Sequence, residues 1–116
     1  MQRNKVRYAP IVTRDFDCIE GYLFQAYLDL GDDSERAARR AARRVPEAPD
    51  YLRTCATHSD RGTEHPEIRP DIRTVTSNKF TFYFSIDDVL TEVLIVAVFF
   101  GGVNHRRQIV DRLGSR

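Results

Sequence analysis

The most constraining stretch of the sequence is KFTFYFSIDDVLTEVLIVAVFF, residues 79–100. Two runs rich in aromatic and β-branched residues, which are typical of strands, flank a pair of aspartates that suits a turn. We therefore predict an antiparallel hairpin that reverses at either a two-residue turn, Asp87 and Asp88, or a four-residue loop. A polar segment rich in turn residues, 57–70, precedes it. The predicted strands are residues 71–76, 79–86 and 89–100.

The two-residue turn would fix which side chains share a face of the hairpin. One face, which we expect to pack on helices, would then contain the opposed pairs Ile86–Val89, Phe82–Val93 and Phe80–Ile95. The other face of the last strand is apolar as well, with Leu94, Val96, Val98 and Phe100. An antiparallel sheet with helices on one side normally has a polar opposite side. Either the chain's own C-terminal segment or a partner therefore covers these side chains.

Two helices are predicted before the sheet, after a short strand in KVRYAP, residues 5–10. In the first helix, Thr13 is the expected N-cap, Asp15 lies in the first turn, and Gly31 suits the end. Its apolar stripe, at spacings of three and four, contains Phe16, Ile19, Leu23, Tyr27 and Leu30.

The second predicted helix is ERAARRAARRV, residues 35–45, with Asp33 or Ser34 as its N-cap. Pro46 disfavours helical geometry at the preceding residue, so the helix ends or kinks there. A further helical turn over residues 49–55 would bury Leu52. The short connection between the two helices predicts an antiparallel helical hairpin.

The length of 116 residues indicates one domain over residues 1–116. Of the residues, 41% are hydrophobic and 30% are charged, and the net charge of +1 excludes a strongly basic DNA-coating protein. No apolar run approaches the roughly 18 residues of a membrane span, and the N-terminus lacks the apolar core of a signal peptide. Cys18 and Cys55 have no metal-type spacing with the three histidines. We therefore expect free thiols, no metal, no cofactor and a cytoplasmic location.

The order of elements, together with three stretches of sequence, resembles the ParE/RelE superfamily of bacterial toxins, and the ParE branch more closely. The stretches are YAPIVTRDFDCIEGYL, RGTEHPEIRPDIRTV and KFTFYFSIDDVLTEVLIVAVFFG. The resemblance covers roughly residues 5–113. It implies an α+β fold in which an N-terminal strand and an antiparallel helical hairpin accompany a small antiparallel β-sheet.

The resemblance also implies a function and partners. Members of the family are toxins of type II toxin–antitoxin systems, and ParE-like toxins bind DNA gyrase and block replication. RelE-like toxins instead cleave messenger RNA on the ribosome, and this activity remains the alternative. The implied partner is an antitoxin, for the ParE branch a ParD-like ribbon-helix-helix protein. DNA would be contacted only through the antitoxin, and no membrane is involved.

The candidate target-binding residues are Arg73, Tyr83, His105, Arg106 and Arg107. Where many ParE relatives end the last strand with a His-Gly-Arg-Arg-Asp-like run, this chain has FFGGVNHRRQ. A ribonuclease would need a base, an acid and several cations around one phosphate. If the hairpin register holds, Lys79 also shares a face with the strand arginine and the tyrosine. No cation occurs in residues 93–103, however, so we expect a binding inhibitor, not an enzyme.

The sequence leaves open the role of the strand arginine and the role of the arginines in the second helix. The strand arginine, Arg73, is either a functional cation or a sheet cation that faces solvent or pairs with Glu92. The candidate antitoxin-binding residues are Leu94, Val96, Val98 and Phe100, together with Arg36, Arg40 and Arg43. The helix that carries these arginines could equally bind nucleic-acid phosphates, or be a solvated surface balanced by neighbouring acidic residues.

Overall fold

A five-stranded mixed sheet, in the order β1-β5-β4-β3-β2, is the centre of the fold. The computed structural model describes residues 5–55, 62–87, 89–101 and 105–114. β1 runs parallel to β5, and the other strand pairs are antiparallel. The elements are β1 Lys5–Tyr8, α1 Val12–Asp29, α2 Ser34–Arg44, α3 Glu47–Cys55, β2 Thr63–Glu64, β3 Arg73–Ser77, β4 Phe80–Asp87, β5 Glu92–Phe100 and α4 Arg106–Gly114.

The apolar stripe of α1 packs on the sheet as predicted, except at its C-terminal end. Ile19 and Leu23 are buried. Leu30 is 77% exposed, because α1 ends at Asp29 and Leu30 is the C-cap residue. The N-cap prediction is also wrong: the N-cap is Ile11, two residues before Thr13, and it makes no side-chain cap hydrogen bond. No helix in the described ranges combines the length and the apolar character that a membrane span requires.

The turn between α1 and α2 follows the predicted chemistry. Gly31 has a φ of +108°, which favours glycine, and its N–H donates to the Leu28 carbonyl at 3.0 Å. The Asp32 N–H donates to the Tyr27 carbonyl at 3.1 Å, which completes a Schellman motif. Asp33 then caps α2, since its carboxylate accepts from the Arg36 N–H at 2.8 Å.

The helical hairpin is close-packed because α2 presents small residues to α1. Ala37 and Ala41 are fully buried, and the other two alanines of the helix, 38 and 42, are exposed. α3 follows after the predicted break and buries Leu52 completely. The antiparallel helical hairpin and the α+β fold are thus as expected.

The register of the β4–β5 hairpin differs from the two-residue-turn prediction. β4 ends at Asp87 and β5 begins at Glu92, so the alternative four-residue loop is the correct one. Asp87 stabilises this loop, since its Oδ1 accepts from the N–H groups of residues 89 and 90 at 3.0 Å each. The observed pairs include Ile86–Val93, Phe84–Ile95, Phe82–Val98 and Phe80–Phe100.

A β-bulge opposite the Tyr83–Phe84 step then reverses which side chains of β5 face the helices. Before the bulge, Val93 and Ile95 pack toward the helices. After it, Val98 and Phe100 do so, contrary to the predicted alternation, while Ala97 and Phe99 pack on the opposite face. The sequence-based assignment of the last strand is therefore correct for its first half and wrong for its second half.

The sheet thus has a buried cluster on each face. We call the cluster under α1, α2 and α3 the helix-side core; its buried members are Val12, Ile19, Leu23, Ala41, Ala48, Leu52, Phe80, Phe82, Phe84, Val93, Ile95 and Val98. We call the cluster under α4 the α4-side core; its buried members are Ile72, Tyr83, Val96, Ala97, Phe99 and Ile109. The C-terminal segment of the chain is therefore a helix that covers part of the second apolar face.

Candidate functional site

The strand arginine and the aromatic-strand tyrosine lie on opposite faces of the sheet. In the β3–β4 register Arg73 is opposite Phe84, and Thr74 is opposite Tyr83. Directly opposed residues of an antiparallel pair share a face, and neighbouring residues alternate. Lys79 lies in the turn between these strands with a φ of +72°. The prediction that these three candidate residues share one face is therefore wrong.

Arg73 has a carboxylate partner, but not the predicted one. Its Nη2 lies 3.3 Å from Oε2 of Glu64, which pairs with it in the β2–β3 ladder. Glu92 instead accepts from Arg7 at 3.2 Å, across the β1–β5 pair. The Arg73 side chain is 26% exposed, so its charge stays partly accessible to solvent.

Tyr83 is a member of the α4-side core and is only 8% exposed. Its ring packs edge-on against Phe99, with 5.8 Å between the centroids, and lies 6.5 Å from the ring of His65. His65 is half-buried, with Nε2 2.9 Å from the Thr74 hydroxyl and Nδ1 3.0 Å from Glu67.

A glycine makes the close approach of β2 to the sheet possible. A Cβ at Gly62 would lie 2.7 Å from the Thr74 carbonyl oxygen and 3.1 Å from the Phe84 ring. Its φ of +105° also favours glycine. The glycine in the RGTEHP stretch is thus explained by packing. His58, in the same polar segment, lies outside the described residues.

His105 is the candidate residue with the most unusual surroundings. Its ring stacks on Phe99, with 4.4 Å between centroids and 9° between planes. Its Nε2 is buried and has no hydrogen-bond partner. Burial lowers the pKa of His105, an effect partly offset by a hydrogen bond to the Gly101 backbone. The neutral imidazole is therefore favoured.

The two arginines after His105 begin α4. The Arg107 side chain is exposed, and the side chain of Arg106 lies outside the described residues. The thiol of Cys18 is free and exposed, whereas the side chain of Cys55 also lies outside the described residues. Within the described ranges, no three histidine, cysteine, aspartate or glutamate side chains come together in a metal-binding arrangement.

A bidentate ion pair joins α1 to α4 and also binds the backbone of β5 beyond the end of β1. Sequence analysis did not predict this ion pair. β1 pairs with β5 only as far as Ile95. Beyond that point, Asp15 accepts from the Val98 N–H at 3.1 Å, and Arg112 donates to the Val96 carbonyl at 3.1 Å. Arg112 also donates to both oxygens of Asp15, at 2.8 and 2.9 Å. The ion pair thus takes the place of a neighbouring strand.

The carboxylate of this pair is 8% exposed, and its hydrogen bond raises the pKa of Arg112 above the usual arginine value. One sequence signal pointed to Asp15: it lies on the buried face of α1, four residues before Ile19. A buried carboxylate requires a partner. The sequence could not identify that partner, because Arg112 is 97 residues away.

An open cavity of about 400 Å³ lies between α1, the end of β5 and α4. The ion pair and His105 line it, together with Tyr22, Val98 and Phe100. Two of the candidate antitoxin-binding residues therefore meet here. Tyr22 is 59% exposed, and its ring lies 6.1 Å from that of Phe100, so the mouth of the cavity is aromatic.

The other two apolar candidates lie elsewhere. Val96 is 8% exposed and packs in the α4-side core. Leu94 is 37% exposed and lines a separate hollow of about 540 Å³ that also includes Arg7 and Glu92. The four residues thus do not form one continuous patch.

The candidate arginines of α2 lie together on the surface of the helical hairpin. Arg36, Arg40 and Arg43, with Arg39, line a hollow of about 240 Å³. Several of them pair with acidic residues close in sequence, as the solvated-surface alternative anticipated.

Comparisons with known proteins find a relative by structure and none by sequence. No protein-family model and no curated protein matches the chain. The chain superposes on one from the solved structure described as the chromosomal ParDE TA system from P. aeruginosa, with a TM-score of 0.62 and 17% sequence identity. The match covers 86% of this chain and 98% of that chain. At this identity the likeness establishes a shared fold, and the ParE-like fold expected from the sequence is confirmed.

Proposed function

We propose that this chain is the toxin of a type II toxin–antitoxin system and that it inhibits growth by binding DNA gyrase. The main support is the fold shared with a chain of the ParDE system, over nearly the full length of that chain. The branch of the toxin superfamily that the sequence resembles supplies the target. The proposed location is the cytoplasm, where the chain would encounter both gyrase and an antitoxin.

The positions of the candidate residues favour inhibition by binding over cleavage of RNA. Internal attack by a ribose hydroxyl needs a base, an acid and cations around a single phosphate. Arg73 and Tyr83 lie on opposite faces of the sheet, and the tyrosine is buried. Nε2 of His105 is covered as well. Such an arrangement offers separate contacts for a protein partner better than it offers one reaction centre.

The antitoxin surface that we propose is the aromatic mouth of the cavity beside α4. Tyr22 and Phe100 would hold an apolar side chain of a helix or an extended segment from a ribbon-helix-helix protein. Val96 and Val98 are too buried for direct contact. Glutamate at either position would place a charge in a core and unfold the domain, so these positions cannot test the proposal.

Induction of the chain alone in growing bacteria tests the target. DNA synthesis and protein synthesis are followed separately by pulse labelling, and strand breaks linked to gyrase are measured. The proposal expects DNA synthesis to stop first. Protein synthesis stopping first, with cleaved messenger RNA, would favour the ribonuclease alternative, and normal growth would contradict a toxin of either kind.

Variants then test the target-binding residues. Alanine at positions 73, 105, 106 and 107 removes the candidate charged and imidazole groups, and Tyr83→Phe removes the hydroxyl while keeping the buried ring. We expect the combined variant to fold and to lose toxicity. A folded variant that is fully toxic would show that the target binds elsewhere.

The antitoxin surface needs a separate pair of variants. Tyr22→Ala and Phe100→Ala should weaken neutralisation by a ribbon-helix-helix protein encoded beside the gene. Leu30→Ala removes an exposed apolar side chain beyond the far end of α1 and is the control. Equal neutralisation of all three variants would exclude the cavity as the antitoxin site.

A further inference from the structure

The four-arginine hollow on α2 differs in composition from the two cavities described above at α4 and at Leu94. The side chains that line it are those of Arg36, Arg39, Arg40 and Arg43, and no apolar side chain contributes. The side chains of the first three are 65%, 55% and 42% exposed, and Arg43 is exposed as well. The result is a solvent-accessible concave surface made of guanidinium groups.

The nearby carboxylates neutralise this surface only in part. Asp32 lies 3.6 Å from Arg36 and 2.6 Å from Arg40, and Glu35 lies 2.7 Å from Arg39. Arg43 has no carboxylate partner within the described residues. The Arg39–Glu35 pair is exposed on both sides, and such pairs contribute little free energy. Asp32 is only 14% exposed and stays paired with Arg36 and Arg40. An incoming anion can therefore displace Glu35 at small cost and can bind Arg43 as well.

One arginine of the cluster is already held in place. The guanidinium of Arg40 lies 4.0 Å above the ring of Tyr27 while it pairs with Asp32. Stacking on an aromatic ring leaves the edge of the guanidinium plane available for hydrogen bonds. The cluster thus combines one ordered cation with three that can adjust to a ligand.

We propose that this hollow binds the phosphodiester backbone of a nucleic acid. Guanidinium groups match phosphate oxygens, and backbone contacts require cations but no apolar pocket. Arg36 and Arg43 are seven residues apart, about 10.5 Å along the helix axis, which corresponds to about three base-pair steps of a duplex. Binding through such contacts is independent of base sequence.

An acidic peptide is the competing ligand, and the composition of the hollow argues against it. The fully buried core of a protein–protein interface is apolar and depleted in charged residues, with aromatic side chains prominent among its anchors. The hollow offers no position for such an anchor. The inference needs only the surface of α2 and stands independently of the proposed toxin function.

Fluorescence anisotropy of the full chain with labelled oligonucleotides tests the proposal. The probes are a short duplex DNA and a single-stranded RNA of the same length, titrated between about 50 and about 200 mM salt. Two or three phosphate contacts predict a slope of log affinity against log salt of about −2 to −3 on the duplex. The probe that binds more tightly shows whether the hollow prefers the backbone of duplex DNA or that of single-stranded RNA.

Two triple variants with the same change in charge separate the hollow from net charge. Arg36, Arg39 and Arg43→Ala removes the cluster but keeps the stacked Arg40 and strong helix formers throughout α2. Arg14, Arg53 and Arg69→Ala is the control, since these arginines are exposed on other elements. Circular dichroism verifies that both variants fold.

We expect the α2 variant to lose at least about tenfold in affinity at low salt, with a slope reduced by about 2 to 3. The control should lose less than about threefold, the effect of net charge alone. Absence of salt-dependent binding, or equal losses in both variants, would overturn the proposal. So would a polyglutamate peptide that binds as tightly as the oligonucleotides and depends on the same arginines.

Discussion

The two faces of the sheet are covered in different ways. Within the described part of the chain, twelve buried residues from α1, α2, α3 and two strands form the helix-side core, and six form the α4-side core. The first is stabilised by apolar contacts spread over many residues. The second is closed by one short helix, which Ile109 and the Asp15–Arg112 ion pair hold in place. We infer that the helix-side core sets global stability and that α4 can open separately.

The largest expected effect is the loss of an aromatic ring from the helix-side core. Phe82 is fully buried, and its ring lies 5.7 Å from Tyr51 and 6.1 Å from Phe80. Phe82→Ala should lower the free energy of unfolding by about 3–5 kcal/mol, through lost burial and the cavity that remains. Urea denaturation measures it, and Val89→Ala, at a 91% exposed position, should change stability by less than about 0.5 kcal/mol. A change below about 1 kcal/mol at Phe82 would contradict the assignment of global stability to this core.

The next effect is the loss of the carboxylate that joins the two sides. Asp15→Ala leaves the Arg112 guanidinium and the Val98 N–H without their partner. Breaking a buried pair costs about 3–5 kcal/mol, and because the Arg112 side chain is 23% exposed we expect about 2–3 kcal/mol. Chemical denaturation gives the value.

A double-mutant cycle with Arg112→Met is the control for this prediction. Removal of both charges should recover part of the loss, because no uncompensated charge then remains. Strictly additive losses would show that the two side chains contribute independently, and the ion pair would then not be what holds α4.

The third prediction concerns α4 itself. Ile109 is fully buried in the α4-side core, and Ile109→Ala should cost about 2 kcal/mol there. Because few other contacts hold the helix, hydrogen exchange in residues 106–114 should become faster, while α1 keeps its protection. Equal acceleration in α1 and α4 would show that the two cores unfold as one cooperative unit.

The same comparison explains what the sequence could predict. The helix-side core depends on local periodicity and turn chemistry, and the stripe from Phe16 to Tyr27 and the Gly31 turn were found from those signals. The α4-side core depends on contacts between distant residues. Its defining ion pair joins residues 15 and 112, and no local pattern specifies such a pair.

The errors in the hairpin have an equally physical cause. β5 is apolar on both faces, so alternation of side chains could not fix its register. The bulge near Val96 then shifts the second half of the strand by one residue. Of the four apolar candidate antitoxin residues, Val98 and Phe100 came to line the cavity beside α4, because this shift turned both of them toward the helices. The fold was therefore predictable from the sequence, whereas the shape of the candidate site was not.

The smallest expected effect is a pH dependence from His105. Burial lowers its pKa in the folded chain below the ordinary value of 6.5, so the unfolded chain binds the proton more readily. The contribution of His105 to stability should be constant above pH 6.5 and should fall as the pH decreases from there to the lower folded pKa. Asp15 and Arg112 line the same cavity, and their mutual pairing leaves the imidazole without a direct carboxylate partner in the described residues.

His105→Phe isolates this contribution, because phenylalanine keeps the stack on Phe99 and removes the titrating group. The difference in the free energy of unfolding between the wild type and this variant, measured between about pH 5 and about pH 8, should decrease only below pH 6.5. Leu30→Ala, which removes an exposed apolar side chain and no titrating group, should keep the pH dependence of the wild type. If this difference in free energy is instead constant across the range, the pKa of His105 is the same in the folded chain as in water. The α4 side of the sheet would then be open to solvent. The two faces of the sheet would thus differ in how well they are covered even more than the buried clusters indicate.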